Sequence, residues 1–155
     1  MNIEVRPTEE KPKSTIERVA RIDSGTLEQV KADFPDHNWE PASVEAFLAD
    51  SSNILILAKS AERVSGILTG HRLARLDDKK ATVLLYEIDV HPDFRKQGIA
   101  SEMINSLKEE ARSSGASEVW VITNKSNGAA TALYENTGGV AKNDDDVVFE
   151  YPLEN

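Results

Sequence analysis

The chain has 155 residues with 18 basic and 27 acidic side chains, a net charge of −9, 39% hydrophobic residues and 29% charged ones. That length and apolar content argue for one folded domain with a core of its own and against a wholly disordered chain. The absence of cysteine excludes disulfides, thiolate metal sites and a cysteine nucleophile. His37, His71 and His91 fall at no metal-ligand spacing, so no metal is expected. The acidic balance argues against a nucleic-acid partner, which needs a basic face, and is compatible with a cationic one. No apolar run reaches membrane-spanning length, and MNIEVRPTEEKPK lacks the apolar stretch of a secretory signal, so a cytoplasmic location without membrane attachment is expected.

Residues 1–13 carry two prolines and six charges and read as a flexible arm, leaving 14–155 as the single domain. A first strand is expected over Thr15–Arg21. Asp23 or Ser24 then caps a helix with Leu27, Val30 and Phe34 on one side, closed by Pro35. A second helix starts near Pro41, with Val44, Phe47 and Leu48 at helical spacing. NILILAKS reads as a strand, Ser60–Glu62 as a turn, and Arg63–Leu76 as the hairpin partner. After a polar turn at Asp77–Lys80 comes the strongest strand, ATVLLYEIDV.

Beyond it the pattern becomes strand, loop and helix. HPDFRKQG feeds a helix with Ile99, Met103, Ile104, Leu107 and Ala111 on its apolar side, ended by Gly115. SEVWVIT reads as a strand, Gly128–Glu135 as a helix stopped by Gly138–Gly139, and DVVFEYPL as a last strand. The order is a β-rich middle followed by β-α-β-α-β, an α/β or α+β sheet covered by helices.

The loop Arg95-Lys96-Gln97-Gly98-Ile99-Ala100 joins a strand to a helix start, where unsatisfied N–H groups favour an anion. Gly98 permits close approach to the backbone, Ala100 keeps the first turn small, and Arg95 and Lys96 add positive charge. The loop has neither the Gly-Lys-Ser/Thr of a nucleoside-triphosphatase nor the three glycines of a dinucleotide fold. Taken alone, a glycine before a helix is more often a turn than a binding loop.

Arg95, Gly98 and Ala100 match the Arg/Gln-x-x-Gly-x-Gly/Ala signature of the GNAT superfamily of acetyl-CoA-dependent N-acetyltransferases. Asn127, Ala130, Leu133, Tyr134, Glu135 and Gly138 look like its second cofactor motif, at the right distance downstream. The chain resembles that family over Thr15–Leu153. The resemblance implies a mixed, mostly antiparallel twisted sheet flanked by helices, with a central strand pair splayed for acetyl-CoA. It places the pyrophosphate on the amides of Gln97, Gly98, Ile99, Ala100 and Ser101, beside Arg95 and Lys96. The pantetheine arm pairs against Ile88, Asp89 and Val90, with Asn127 bonding it from the far side and Ala130 letting it pass. The Val90 N–H becomes the oxyanion donor, and Tyr134 assists departure of the thiolate.

Direct acetyl transfer needs a neutral amine. Glu87 and Asp89 share one face of a largely apolar strand, opposite Tyr86, Ile88 and Val90. Two acids there suit an ammonium group, with Glu87 as its base and Asp89 binding or orienting it; the alternative is a solvated sheet face. From Asn143 onward there are five acids and no Lys or Arg; such runs are usually only solvated, but the family resemblance implies an acceptor site here, with Asp144, Asp145, Asp146 and Glu150 drawing a polycation. His37 and Trp39 either shape the acceptor site or pack.

The stretch LLYEIDVHPDFRKQGIASEMINSLKEEARSSGA, followed by ALYENTGG and VVFEYPLE, is similar to the aminoglycoside 3-N-acetyltransferases. It departs from them in Glu87, where Asp is usual, and over Asn124–Asn127, where acids are common. The implied activity is acetylation of the 3-amino group of an aminoglycoside, a cationic small molecule, by direct transfer. The alternatives are a polyamine, another small amine or a protein amine as acceptor, or a non-catalytic acetyl-CoA-binding module. A homodimer is compatible with the superfamily's habits.

Overall fold

The computed structural model describes residues 13–77 and 79–153; all but Lys13 of the expected N-terminal arm lies outside them. The described residues form two compact units, divided between Ile122 and Thr123. In the first, β1 (Thr15–Arg18), β2 (Asn53–Ser60), β3 (Arg63–Leu73) and β4 (Thr82–Val90) form a consecutive antiparallel sheet. The short β5 (Val119–Trp120) adds parallel to β4. Helices α1 (Ser24–Asp33) and α2 (Pro41–Ala49) join β1 to β2, and α3 (Ile99–Ser113) joins β4 to β5. The mixed sheet with flanking helices agrees with the fold expected from the sequence.

Local signals set the helix starts. Asp23 Oδ1 accepts from the Thr26 N–H at 2.7 Å and caps α1, which holds the Asp23 carboxyl below the usual carboxylate range. Pro41 opens α2 at a position where no N–H is needed. The residues of β2 from Ile54 to Ala58 are all buried, because helices cover both sheet faces. On one face Leu55, Leu57, Val64 and Ile67 pack with Val30 and Phe34 of the α1 region, and with Trp39, Phe47 and Leu48 beside them. On the other, α3 lies so close that a Cβ on Gly66 would stand 2.8 Å from Met103 Cε. A Cβ on Gly70 would stand 3.3 Å from Leu107 Cδ1.

Three expected strands are shorter in the structure. β1 stops at Arg18 and β3 at Leu73, and SEVWVIT keeps only Val119–Trp120 in the sheet. The expected last strand, DVVFEYPL, is not formed. Val147, Val148, Phe149 and Tyr151 are exposed and no ladder includes them among the described residues. β-propensity describes a side chain that suits a pleated surface, and without a partner's hydrogen bonds it makes no strand.

In the second unit α4 (Gly128–Asn136) is capped by Asn127, whose Oδ1 accepts from the Ala130 N–H at 3.1 Å. The helix ends as expected at Gly138–Gly139. Gly138 takes φ 91°, and the Gly139 N–H donates to Tyr134 O at 2.8 Å.

Leu107 is fully buried between α3 and the sheet. Leu107→Ala is expected to lower stability by about 2–5 kcal/mol, read from the shift of the urea unfolding midpoint at unchanged slope.

Candidate active site

β4 carries one extra residue. Thr69 pairs with Glu87 and Gly70 with Leu85, so Tyr86 has no partner on β3 and forms a bulge. Before the bulge Val83 and Leu85 are buried toward α3, with Leu85 opposite the Gly70 that α3 approaches. After it, Glu87 and Asp89 stand opposite Thr69 and Ile67, and Ile67 belongs to the α1-side core. The bulge thus moves the odd-numbered positions from the α3 face to the α1–α2 face. Strict alternation put Tyr86 with Ile88 and Val90. Instead its ring lies edge-on to His71 at 5.4 Å, and His71 packs on Phe47 of α2, so Tyr86 joins the side of the acids.

The structure brings Glu87 and Asp89 together around His37. Thr69 Oγ1 donates to Glu87 Oε2 at 3.3 Å. His37 Nε2 lies 3.3 Å from Asp89 Oδ2 and its Nδ1 lies 4.0 Å from Glu87 Oε2. The two carboxylate side chains are 47% and 41% exposed, open enough to meet a ligand, while that of His37 is 13% exposed.

Along the strand the same region exposes backbone. The His91 N–H donates to Ser65 O at 2.9 Å, so the Ser65–His91 pair is hydrogen-bonded. By antiparallel parity the next pair, Gly66–Val90, and also Leu68–Ile88, point their N–H and C=O groups away from β3. On that side β5 pairs only with Val83 and Leu84, so from Leu85 onward β4 has no ladder partner among the described residues. Arg95 Nε donates to Val90 O at 3.0 Å and Arg95 Nη2 lies 3.9 Å from Asp89 Oδ1. The expected anion ligand Arg95 therefore braces the end of β4.

The loop after β4 is anchored to the rest of the unit. Arg63 reaches Asp93 at 3.2 Å and Asp33 of α1 at 3.3 Å, and these hydrogen bonds hold its guanidinium above its usual range. His91 Nδ1 accepts from the Asp93 N–H at 3.2 Å, and Arg63 lies over the Phe94 ring at 5.1 Å. The Arg63 contacts to Asp33 and Asp93 join segments 30 residues apart in the chain, so no local pattern announces them. Lys96 and Gly98 follow with φ 60° and 80°. Gly98 precedes α3 as its cap residue without a side-chain hydrogen bond, and the first N–H groups of this 15-residue helix lack a capping side chain. Space would admit a side chain at Gly98, with nothing within 4 Å of a Cβ; the left-handed backbone is what calls for glycine.

In the second unit Tyr134 is partly buried on α4, and burial raises its phenol above the ordinary range. Asn127 commits Oδ1 to the helix cap, which leaves Nδ2 as its donor toward a ligand. Asn143 organises the acidic turn through Asp145 N–H at 3.0 Å and Asp146 Oδ1 at 2.9 Å, and Lys125 pairs with Asp144 at 3.3 Å. Glu150 is exposed and lies on no strand. No group of three or more His, Asp or Glu side chains placed to hold a metal ion occurs among the described residues. No helix there is long and apolar enough to cross a membrane.

An open strand edge of amides followed by an uncapped helix start suits a ligand with an extended amide arm and an anionic head. The sequence model of the Acetyltransferase (GNAT) family matches residues 20–138, and the chain belongs to that family. Among curated relatives it is similar to [Ribosomal protein bS18]-alanine N-acetyltransferase of Escherichia coli strain K12, 37% identical over 54 residues. That match covers 35% of this chain and 36% of the relative, so the chain spans little more than a third of that protein. Human N-acetyltransferase 8 is 27% identical over 94 residues, 61% of this chain and 41% of that protein. Among solved structures it is similar to the aminoglycoside acetyltransferase meta-AAC0020 from an uncultured soil metagenomic sample, in complex with sisomicin. The TM-score is 0.79 at 23% identity, covering 91% of this chain and 97% of that one. Aminoglycoside N-acetyltransferase AAC(6')-Iy in complex with CoA gives 0.72 at 18% identity, covering 90% and 99%. At these identities the structural likeness speaks to the fold.

Because the folded chain keeps the Tyr134 proton to higher pH than the unfolded one, the resulting stability is present below pH ~10 and lost as pH rises through the raised value. Tyr134→Phe is expected to remove a phenolate step above the ordinary tyrosine range from the ultraviolet titration and to flatten the alkaline fall in the unfolding midpoint.

Proposed function

We propose that this chain is an acetyl-CoA-dependent N-acetyltransferase of a cationic small-molecule amine, with residues 14–155 working as one catalytic domain. The observation that carries the reading is the bulge at Tyr86, which sets the Glu87 and Asp89 carboxylates on the face beside the outward amides of Ile88 and Val90. One element thereby offers an ammonium site and a carbonyl-binding backbone within a few residues.

The uncapped start of α3, the left-handed Gly98 and the open edge of β4 fit acetyl-CoA. When bound, this donor supplies an activated acetyl thioester. Its pyrophosphate is assigned to the amides of Gln97–Ser101 with Lys96, and its arm to Ile88–Val90 with Asn127 and Ala130. The Val90 N–H is assigned to the thioester oxygen, where a fixed donor stabilises developing charge. Glu87 takes a proton from the acceptor ammonium and Asp89 orients it. Tyr134, a phenol whose partial burial holds it above its ordinary range, would donate a hydrogen bond to the leaving sulfur.

For the acceptor we favour an aminoglycoside. Its several ammonium groups match Glu87, Asp89 and the acids of the C-terminal segment, Asp144–Asp146 and Glu150, in a chain of net charge −9. Assignment to its 3-amino group follows from the sequence resemblance over Leu84–Ala116. The second reading, a protein or peptide amine, is favoured by the 54-residue match to an enzyme named for the alanine of a ribosomal protein.

The test is thiol release from acetyl-CoA over gentamicin, sisomicin, kanamycin, spermidine and a short peptide with an N-terminal alanine. Turnover with gentamicin or sisomicin, a KM that rises with salt and an acetyl group mapped to the 3-amine are expected. Turnover confined to the peptide would select the second reading. Glu87→Gln is expected to lower kcat on the order of 10²–10⁴-fold while acetyl-CoA affinity holds. Tight acetyl-CoA binding without turnover on any amine would leave a binding module.

A further inference from the structure

His37 closes the 3-10 turn Pro35–His37 that follows α1, and its ring is nearly enclosed. Phe34 and Trp39 meet it edge-on, with centroids 6.1 and 6.3 Å away, and the two ring nitrogens face β4. Nε2 is 3.3 Å from Asp89 Oδ2, within hydrogen-bond distance, whereas Nδ1 is 4.0 Å from Glu87 Oε2. An ionised carboxylate only accepts, so the proton of a neutral ring belongs on Nε2. The lone pair of Nδ1 then faces Glu87. The charged groups around the ring are Glu87 and Asp89 on β4, Arg95 of the next loop beyond Asp89, and Asp36 of its own turn. A packing role between two aromatic rings would be served by an apolar side chain, without enclosing a polar ring.

We propose that His37, held by Asp89, receives at Nδ1 the proton that Glu87 takes from the acceptor ammonium. This rests on the N-acetyltransferase reading and deepens it. The ammonium N–H bond breaks and its proton passes to Glu87 Oε2, leaving a neutral amine and a carboxylic acid. The O–H bond then breaks as an N–H bond forms at His37 Nδ1. The carboxylate is restored, and the imidazolium is paired with Asp89 until it gives the proton to solvent. A second amine proton leaves with the thiol, so each acetyl transferred releases one proton. The 4.0 Å gap closes on substrate binding or is spanned by one water, as is usual for catalytic contacts in unliganded sites. His37 acts through Glu87 and is a positioning residue, one that also resets the base.

His37→Gln keeps a donor for Asp89 but has no group that accepts a proton from Glu87. Its kcat is expected to fall on the order of 10²-fold while the amine KM and acetyl-CoA affinity stay near the parent's. The acid limb of its kcat–pH profile is expected to move as well. Added imidazole is expected to restore turnover to His37→Ala and not to His37→Gln. In the parent, nitrogen-15 NMR of the histidine rings is expected to show His37 as the Nε2–H tautomer. A His37→Gln enzyme that matches the parent at every pH, or an Nδ1–H tautomer, overturns the proposal while acetyl transfer stands. A parent that binds acetyl-CoA and acetylates no amine overturns the functional reading and this inference with it.

Discussion

The extra residue in β4 is the constraint on which the site depends. A strand that alternated regularly from Val83 onward would send Glu87 and Asp89 to the α3 side, against buried Met103 and Leu107. Two carboxylates there would lose their hydration without partners, at a cost of several kcal/mol each. The bulge at Tyr86 lets the first half of β4 fill the core and the second half present acids to the α1–α2 side. It falls just beyond Leu84, the last β4 residue paired with β5 among the described residues, so the carboxylates and the open strand edge lie on the same stretch of β4.

β4 therefore carries two chemistries at right angles. Side chains across the sheet face are acidic and are held by Thr69 and His37. Backbone groups in the plane of the sheet face the open edge, and the Val90 carbonyl is held by Arg95. The acyl transfer proposed for this site needs the two fixed relative to one another, and placing both on one strand does that with the fewest moving parts. The glycines of β3 contribute from below: Gly66 and Gly70 lack a Cβ, so α3 packs against the sheet closely enough to hold β4 in place.

The loop that leads into α3 is fixed by charge and ring contacts rather than by a regular element. Arg63, from the start of β3, bridges Asp93 in that loop and Asp33 at the end of α1, while His91 and Phe94 supply aromatic edges. The cap residue Gly98 thus follows an anchored turn, and the helix start that suits an anion is presented without a mobile lead-in.

How much of this was legible in the sequence depended on distance along the chain. Asp23 capping α1, Pro41 opening α2, Gly98 before α3 and Gly138–Gly139 ending α4 are local matters of φ, N–H supply and side-chain length, and each was readable from a few residues. So were the apolar stripe of α3 and the family motifs around Arg95 and Tyr134. Partnership decided the rest. DVVFEYPL has strand composition and makes no strand, and SEVWVIT pairs over only two residues, because strands exist through the hydrogen bonds of a neighbour. Tyr86 looks like any strand residue, and only the register of β4 against β3 makes it a bulge. His37 sits 50 residues before Glu87, and tertiary packing alone set its two nitrogens on two carboxylates. Sequence by itself determined the helices α1–α4 and the family, since those rest on local preference and local motifs; the tertiary structure decided which strands formed, which face the acids took and what met them there, since those rest on contacts between distant segments.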